Sequence, residues 1–278
     1  MEAGCWQTLR LGAIFVPGQA VLGWRLASAA ASSLFFFEVR HPGDAVSLLE
    51  KSREDVSMRR RVSRRLIMLG AIIGDMVGSP YEFHPWQGAA EAFPLFSPRS
   101  RFTDDTVMTV AVARGLMQAY GQEQACREAF IDAMHEYGRA YSRAGYGQRF
   151  FRWIVTGSRE PYNSFGNGSA MRVSPVGWAC DSLEETERYA ALSASVTHDH
   201  PEGIKGACAT AAAIFLARDG AGRDAIRDYV SFRYGYDLAR SLAEIRPAYR
   251  HKESCQESVP EAIIAFLESR TQCRLAGR

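Results

Sequence analysis

The sequence predicts an all-α, compact multi-helix domain over residues 68–278, preceded by an irregular or partly disordered extension, residues 1–67. Three observations carry this. From Leu69 onward apolar residues recur at spacings of three and four, the period of a helix with one buried face. Pro, Gly, Ser, Thr and acidic residues stand at the ends of those runs, where helices start and stop. No segment alternates apolar and polar residues as a half-buried strand would.

The chain has 278 residues, 47% hydrophobic and 23% charged, which excludes collagen-like, bulk-disordered and polytopic membrane classes. Residues 1–67 carry ten Lys/Arg against six Asp/Glu, whereas 68–278 carry 23 against 25. A slightly acidic body lacks the concentrated basic face of a nucleic-acid binder. The six cysteines include no C-x-x-C pair and read as buried fillers in a reducing cytoplasm. In the extension, two apolar runs broken by Pro17, Gly18, Gly23 and Arg25 are too short to span a bilayer. The same break opposes a secretory signal, and the run Met58–Arg65 reads as a solvated basic linker.

The first helix is Leu69–Gly78, ended by Pro80. Its Gly70, Gly74 and Gly78 share one face and admit a close neighbour. Thr103 to Tyr120 begins on Thr and Asp, good N-cap residues, and stops at Gly121. Glu123 to Tyr141 follows. Leu183 to Ser195 opens on acidic residues that suit the helix dipole. Pro201 to Arg218 has Pro in its first turn and Gly220 beyond its end. Shorter helices are expected over Arg223–Phe232, Tyr236–Ile245 and Pro260–Glu268.

Four polar clusters punctuate these helices. Gly74-Asp75 is followed, past Pro80, by Glu82. Phe102-Thr103-Asp104-Asp105-Thr106 is read either as a helix cap or as hard oxygen ligands. Adjacent carboxylates repel unless a cation lies between them, and Mg²⁺ is the ordinary solution. Ser164 to Arg172 is either a plain turn or a loop whose backbone amides surround an anion. Ser195 to Gly203 holds His198 and His200; the pair resembles a zinc half-site, but no third soft ligand is spaced to complete it, so a cap with substrate-facing groups is favoured.

The order and wording of these clusters, LGAIIGDMVGSPYE (69–82), FTDDT (102–106), NSFGNGSAMR (163–172) and SVTHDHPEGIKGA (195–207), resemble the ADP-ribosylglycohydrolase family. The likeness continues through YGYDL (234–238) and SVPEAIIAFLES (258–269). It implies an all-α fold and hydrolysis of the glycosidic bond between ADP-ribose and an acceptor. The acceptor is a protein side chain or related group, so the partner is an ADP-ribosylated protein or an ADP-ribose-containing small molecule; the charge and the short apolar runs imply no stable nucleic-acid partner and no membrane. It also implies a binuclear Mg²⁺ site, with Mn²⁺ able to substitute. Carried over, Thr103, Asp104 and Asp105 are metal ligands. Glu82 is the acidic residue beside the scissile bond and, with Asp104 and Asp105, forms the catalytic set. Gly166, Asn167, Gly168, Ser169 and Met171 hold diphosphate and ribose, and His198 lines the pocket. The family's later Gly-Asp-x-Asp-Thr segment occurs nowhere in this sequence. The expectations drawn from this are a chain cut short at its C-terminus, a native start at Met68, and weak turnover, ADP-ribose binding alone or a non-functional fragment.

Overall fold

The computed structural model describes residues 68–83 and 95–269; the predicted extension 1–67 lies outside them. Among the described residues the regular structure is helical, with one isolated bridge between Gly166 and Ser254. The principal helices are α1 Leu69–Gly78, α2 Asp104–Ala119, α3 Glu123–Ala140, α4 Gln148–Thr156, α5 Gly168–Met171 and α6 Ser174–Ala179. They continue as α7 Leu183–Ser195, α8 Pro201–Arg218, α9 Arg223–Tyr234, α10 Leu242–Ile245 and α11 Cys255–Glu268.

The centre is α8. Its residues from Gly206 through Phe215 are buried without a polar stripe, the pattern of a helix enclosed on all sides. Small side chains make this feasible: Gly206 and the run of alanines let α5, α6, α7, α9 and α11 all pack against it. A Cβ on Gly206 would lie 2.5 Å from Cys255 Sγ on α11. On one flank of α8 an apolar cluster joins Val77, Ile214, Val230, Val259 and Ile263. On the other, Met108, Phe130, Trp153, Tyr189 and Ala211 gather α2, α3, α4 and α7. Cys126, Cys180, Cys208 and Cys255 are free and buried, as expected of fillers. No helix among the described residues is long and apolar enough to cross a membrane.

Several expected elements differ in extent. The helix expected over Tyr236–Ile245 is only Leu242–Ile245. Gly235, at φ 69°, ends α9 in the left-handed conformation, and Ser241 with Glu244 forms a capping box that starts α10 afresh. The apolar Tyr236 and Leu238 are buried from non-helical backbone. Pro260 lies inside α11, which starts at Cys255. Helix α4 was not expected; Gly147 and Gly157 bound it, and Phe150, Trp153 and Ile154 form its buried face.

Candidate active site

A cavity of about 610 Å³ opens between the α1–α2 end of the molecule and the segments 162–172 and 198. Its lining includes Glu82, Asp104, Asp105, Gly166, Gly168 and His198. Three of the four sequence clusters thus meet the fourth at one place, although 116 residues of chain separate Glu82 from His198.

The acidic end is built by two helix termini. Thr103 is the N-cap of α2, and its hydroxyl accepts the Asp105 amide at 3.4 Å. The cap and ligand readings therefore describe one arrangement, because the acidic doublet starts the helix and also faces the cavity. Asp75 of α1, 2% exposed, organises it. Its Oδ2 accepts the Thr103 amide at 2.7 Å and the Thr106 amide at 3.2 Å; its Oδ1 accepts the Thr103 hydroxyl at 2.6 Å; the Thr106 hydroxyl donates to Oδ2 as well. A carboxylate from another helix thus completes the N-terminus of α2, where negative charge is favoured. With its hydroxyl proton directed at Asp75 and one lone pair taken by the Asp105 amide, Thr103 Oγ1 keeps a second lone pair for another partner.

Burial and mutual repulsion disfavour the charged carboxylates at this end. The Asp104 carboxyl is pushed up to about 7 by burial, with the Asp75 charge adding to the rise. Glu82 is also raised to about 7, chiefly by burial, then by Asp104 and Asp75, with Arg101 pulling the other way. Among the described residues no three His, Cys, Asp or Glu side chains close into a metal cage by themselves. Thr103, Asp104 and Asp105 are instead an open, one-sided set of hard oxygens. That chemistry fits a Mg²⁺ ion that keeps several waters, so the donor set is compatible with the cation the resemblance implies. Opposite lies Gly145, at φ 112°; a Cβ there would be 3.5 Å from Asp104 Oδ1.

The other end is less of an amide cradle than the glycines suggest. Gly166 N donates to Ser164 Oγ and Asn167 N to the Glu253 carbonyl. Ala170 and Met171 donate to the Asn167 carbonyl, closing the turn of α5. The first amides of that turn, Gly168 and Ser169, have no such intrahelical carbonyl. The Ser169 hydroxyl is fully buried and donates to the Gly203 carbonyl, and Asn167 Nδ2 donates to Ser258 Oγ. Those two side chains tie the loop to α8 and α11; Gly166, Asn167, Gly168 and Met171 line the cavity, and Ser169 does not.

His198 is 4% exposed. Its Nδ1 is 2.7 Å from Thr197 Oγ1. A Cβ on Gly168 would sit 3.1 Å from His198 Nε2, so the ring edge lies directly over this glycine. His200 takes a different part: its Nδ1 accepts the Glu202 amide and caps α8. The two rings are thus committed separately, as the cap reading expected.

Burial, then the charges of Arg172 and Arg149, holds the His198 ring well below the ordinary histidine value; Tyr162 is the other titratable ring against it. The unfolded chain therefore binds a proton here near pH 6.5 that the native chain does not. Stability is complete above that pH and falls as pH drops toward the native value. His198→Gln should remove up to about 1.4 kcal/mol per pH unit from that slope. Urea midpoints at pH 5, 6 and 7 check it, and an unchanged slope in the variant refutes the assignment.

Tyr146, Arg149, Tyr162, His251 and Glu253 also line the cavity although no motif marks them, and Asp75 and Arg172 lie within motifs that give them no role of their own. The 251–253 segment arrives there because Gly166 pairs with Ser254, a contact with no sequence signature. Arg149 sits over the Tyr162 ring at 4.9 Å and donates to the Tyr162 carbonyl.

An all-α domain with an acidic doublet capped from another helix, facing a glycine turn and a buried histidine across one cavity, defines a class of small-molecule site with a cationic and an anionic end. The family model described as ADP-ribosylglycohydrolase matches residues 58–274, a wider span than the motifs alone cover. The chain belongs to the ADP-ribosylglycohydrolase family. It is similar to the mouse ADP-ribosylhydrolase ARH3, 31% identical over 198 residues, covering 59% of this chain and 51% of that protein. The human ADP-ribosylhydrolase ARH3 is 32% identical over 195 residues, 58% of this chain and 52% of that protein. An uncharacterised protein of Archaeoglobus fulgidus is 30% identical over 168 residues, 54% of each. The chain spans about half the length of the curated relatives it matches.

Proposed function

We propose that this protein hydrolyses the glycosidic bond between ADP-ribose and an acceptor, using Mg²⁺ held by Thr103, Asp104 and Asp105. The observation that carries the reading is the polarity of this cavity. Desolvated carboxylates line one end, while Arg149 lines the other and the buried Arg172 adds its charge there. A diphosphate suits the cationic end. The carboxylate end suits a sugar carbon that gains oxocarbenium-like positive charge as its bond to the acceptor breaks. The family membership and the relatives' printed names agree with this substrate class.

The chain's own groups divide the work. Glu82, whose carboxyl is raised to about 7 chiefly by burial, is placed for proton transfer. As the C1–acceptor bond breaks, the acceptor takes a proton from Glu82. Water adds its hydroxyl to C1, and its remaining proton returns to Glu82. Asp104 and Asp105 oppose the positive charge on the ring. Gly166 and Gly168 let backbone and imidazole approach the ligand without a side chain intervening, and Met171 supplies an apolar wall. Bound Mg²⁺ would supply a fixed positive charge that orients ribose hydroxyls and the attacking water.

The test is Mg²⁺-dependent release of ADP-ribose from a modified peptide, alongside melting curves with Mg²⁺ and with ADP-ribose. Asp104→Ala should cut release at least about a hundredfold, on the scale of disturbed metal centres, and should remove the Mg²⁺-dependent rise in Tm. Stabilisation of the unaltered chain by ADP-ribose without release would place it instead as an ADP-ribose-binding module. No response to either ligand refutes both.

A further inference from the structure

We propose that Arg172 and Thr197 form a buried relay that fixes His198 as the neutral Nε2–H tautomer, presenting one hydrogen-bond donor to a phosphate or ribose oxygen in the cavity. The argument begins with Arg172. This side chain is 1% exposed, an unusual place for a guanidinium, and among the described residues no carboxylate forms an ion pair with it. Nη2 donates to the Ser193 carbonyl at 3.0 Å and to Thr197 Oγ1 at 2.8 Å. The guanidinium also lies 5.8 Å from the Phe150 ring. Guanidinium only donates, so Thr197 Oγ1 must accept from it.

Thr197 is fully buried, and its hydroxyl proton needs an acceptor, since a buried unmade bond is costly. The atom within reach is His198 Nδ1, 2.7 Å away. With the Thr197 proton directed at it, Nδ1 carries its lone pair there and the ring proton resides on Nε2. Nε2 is the atom over Gly168. The direction of every proton is thereby set by the one group that cannot reverse its role. Arg172 and Thr197 touch no ligand in this scheme and are positioning residues; the donor is His198. A neutral donor also suits a cavity that already holds Arg149, because it orients an oxygen without adding charge.

The ligand half of this inference rests on the ADP-ribose reading above; the tautomer half does not. The full-length chain, labelled with ¹⁵N at histidine, is examined by long-range proton–nitrogen spectra at pH 7.5. His198→Gln identifies the ring by the signals it removes. The expected spectrum has Nδ1 as an unprotonated, hydrogen-bonded nitrogen and Nε2 protonated. A protonated Nδ1 overturns the proposal without any further variant. Thr197→Val should move Nδ1 to the position of an imine nitrogen without a hydrogen bond, and an unmoved Nδ1 also overturns the relay. In calorimetric titration with ADP-ribose, Thr197→Val should weaken binding about tenfold, the scale of one buried hydrogen bond, while Thr197→Ser, which keeps the hydroxyl, restores it. Equal affinity in the valine variant overturns the ligand half. Failure of the unaltered chain to bind ADP-ribose overturns the proposed function together with that half, and the spectra then decide the tautomer alone.

Discussion

Asp75→Ala should destabilise the protein by about 3–5 kcal/mol, the range found when one partner of a buried charged network is removed. The carboxylate accepts from two backbone amides and two hydroxyls. Alanine would leave all four donors buried or half-buried without it, and each unsatisfied donor costs roughly 1–3 kcal/mol before relaxation. Some relaxation follows, because Thr106 is only part-buried and water can reach it, so the total falls below the simple sum. Asp75→Asn should cost less, since one amide oxygen still accepts while its NH₂ confronts donors. Urea midpoints for the two variants check the order. An alanine variant within 1 kcal/mol of the parent, on that same scale, would falsify the account of this junction.

Gly203→Ala should also destabilise the protein, for a steric reason. A Cβ at this position in the first turn of α8 would lie 2.6 Å from the Ser164 carbonyl oxygen and 3.0 Å from both Cβ and the carbonyl oxygen of His198. Two of those atoms are backbone, so no rotamer change relieves the clash. Overpacking of this kind costs about 1–3 kcal/mol. The displaced atoms belong to the cavity wall, so ADP-ribose binding should fall by more than the stability loss alone explains. Thermal melts with and without ADP-ribose separate the two effects. Parent-like affinity in the alanine chain would show that the wall tolerates displacement.

Much of this was legible in the sequence where a local rule decides the outcome. Helix α8 begins at Pro201 and ends at Arg218 as its proline, small residues and Gly220 indicate, and Thr103 caps α2 as its position suggests. What was not legible depends on distant contacts. Nothing around Asp75 announces that its carboxylate serves an amide 28 positions away. Ser169 reads like a ligand-facing hydroxyl because it sits in a glycine turn, yet it is fully buried and satisfied by Gly203. Tyr236 and Leu238 lead into the apolar Leu242 and Ile245, but Gly235 and the Ser241 cap isolate them and burial comes without helical backbone. His251 and Glu253 reach the cavity only through the pairing of Gly166 with Ser254.

The junction of Asp75 with Thr103 and Thr106 fixes the acidic end of the cavity through polar contacts that the other end does not share. The carboxylate wall stands on the docking of α1 against α2, whereas the imidazole and glycine turn stand on the all-buried α8. On the proposed reading, loosening of α1 would remove the carboxylates assigned to the divalent ion before it disturbed the glycine turn assigned to the nucleotide.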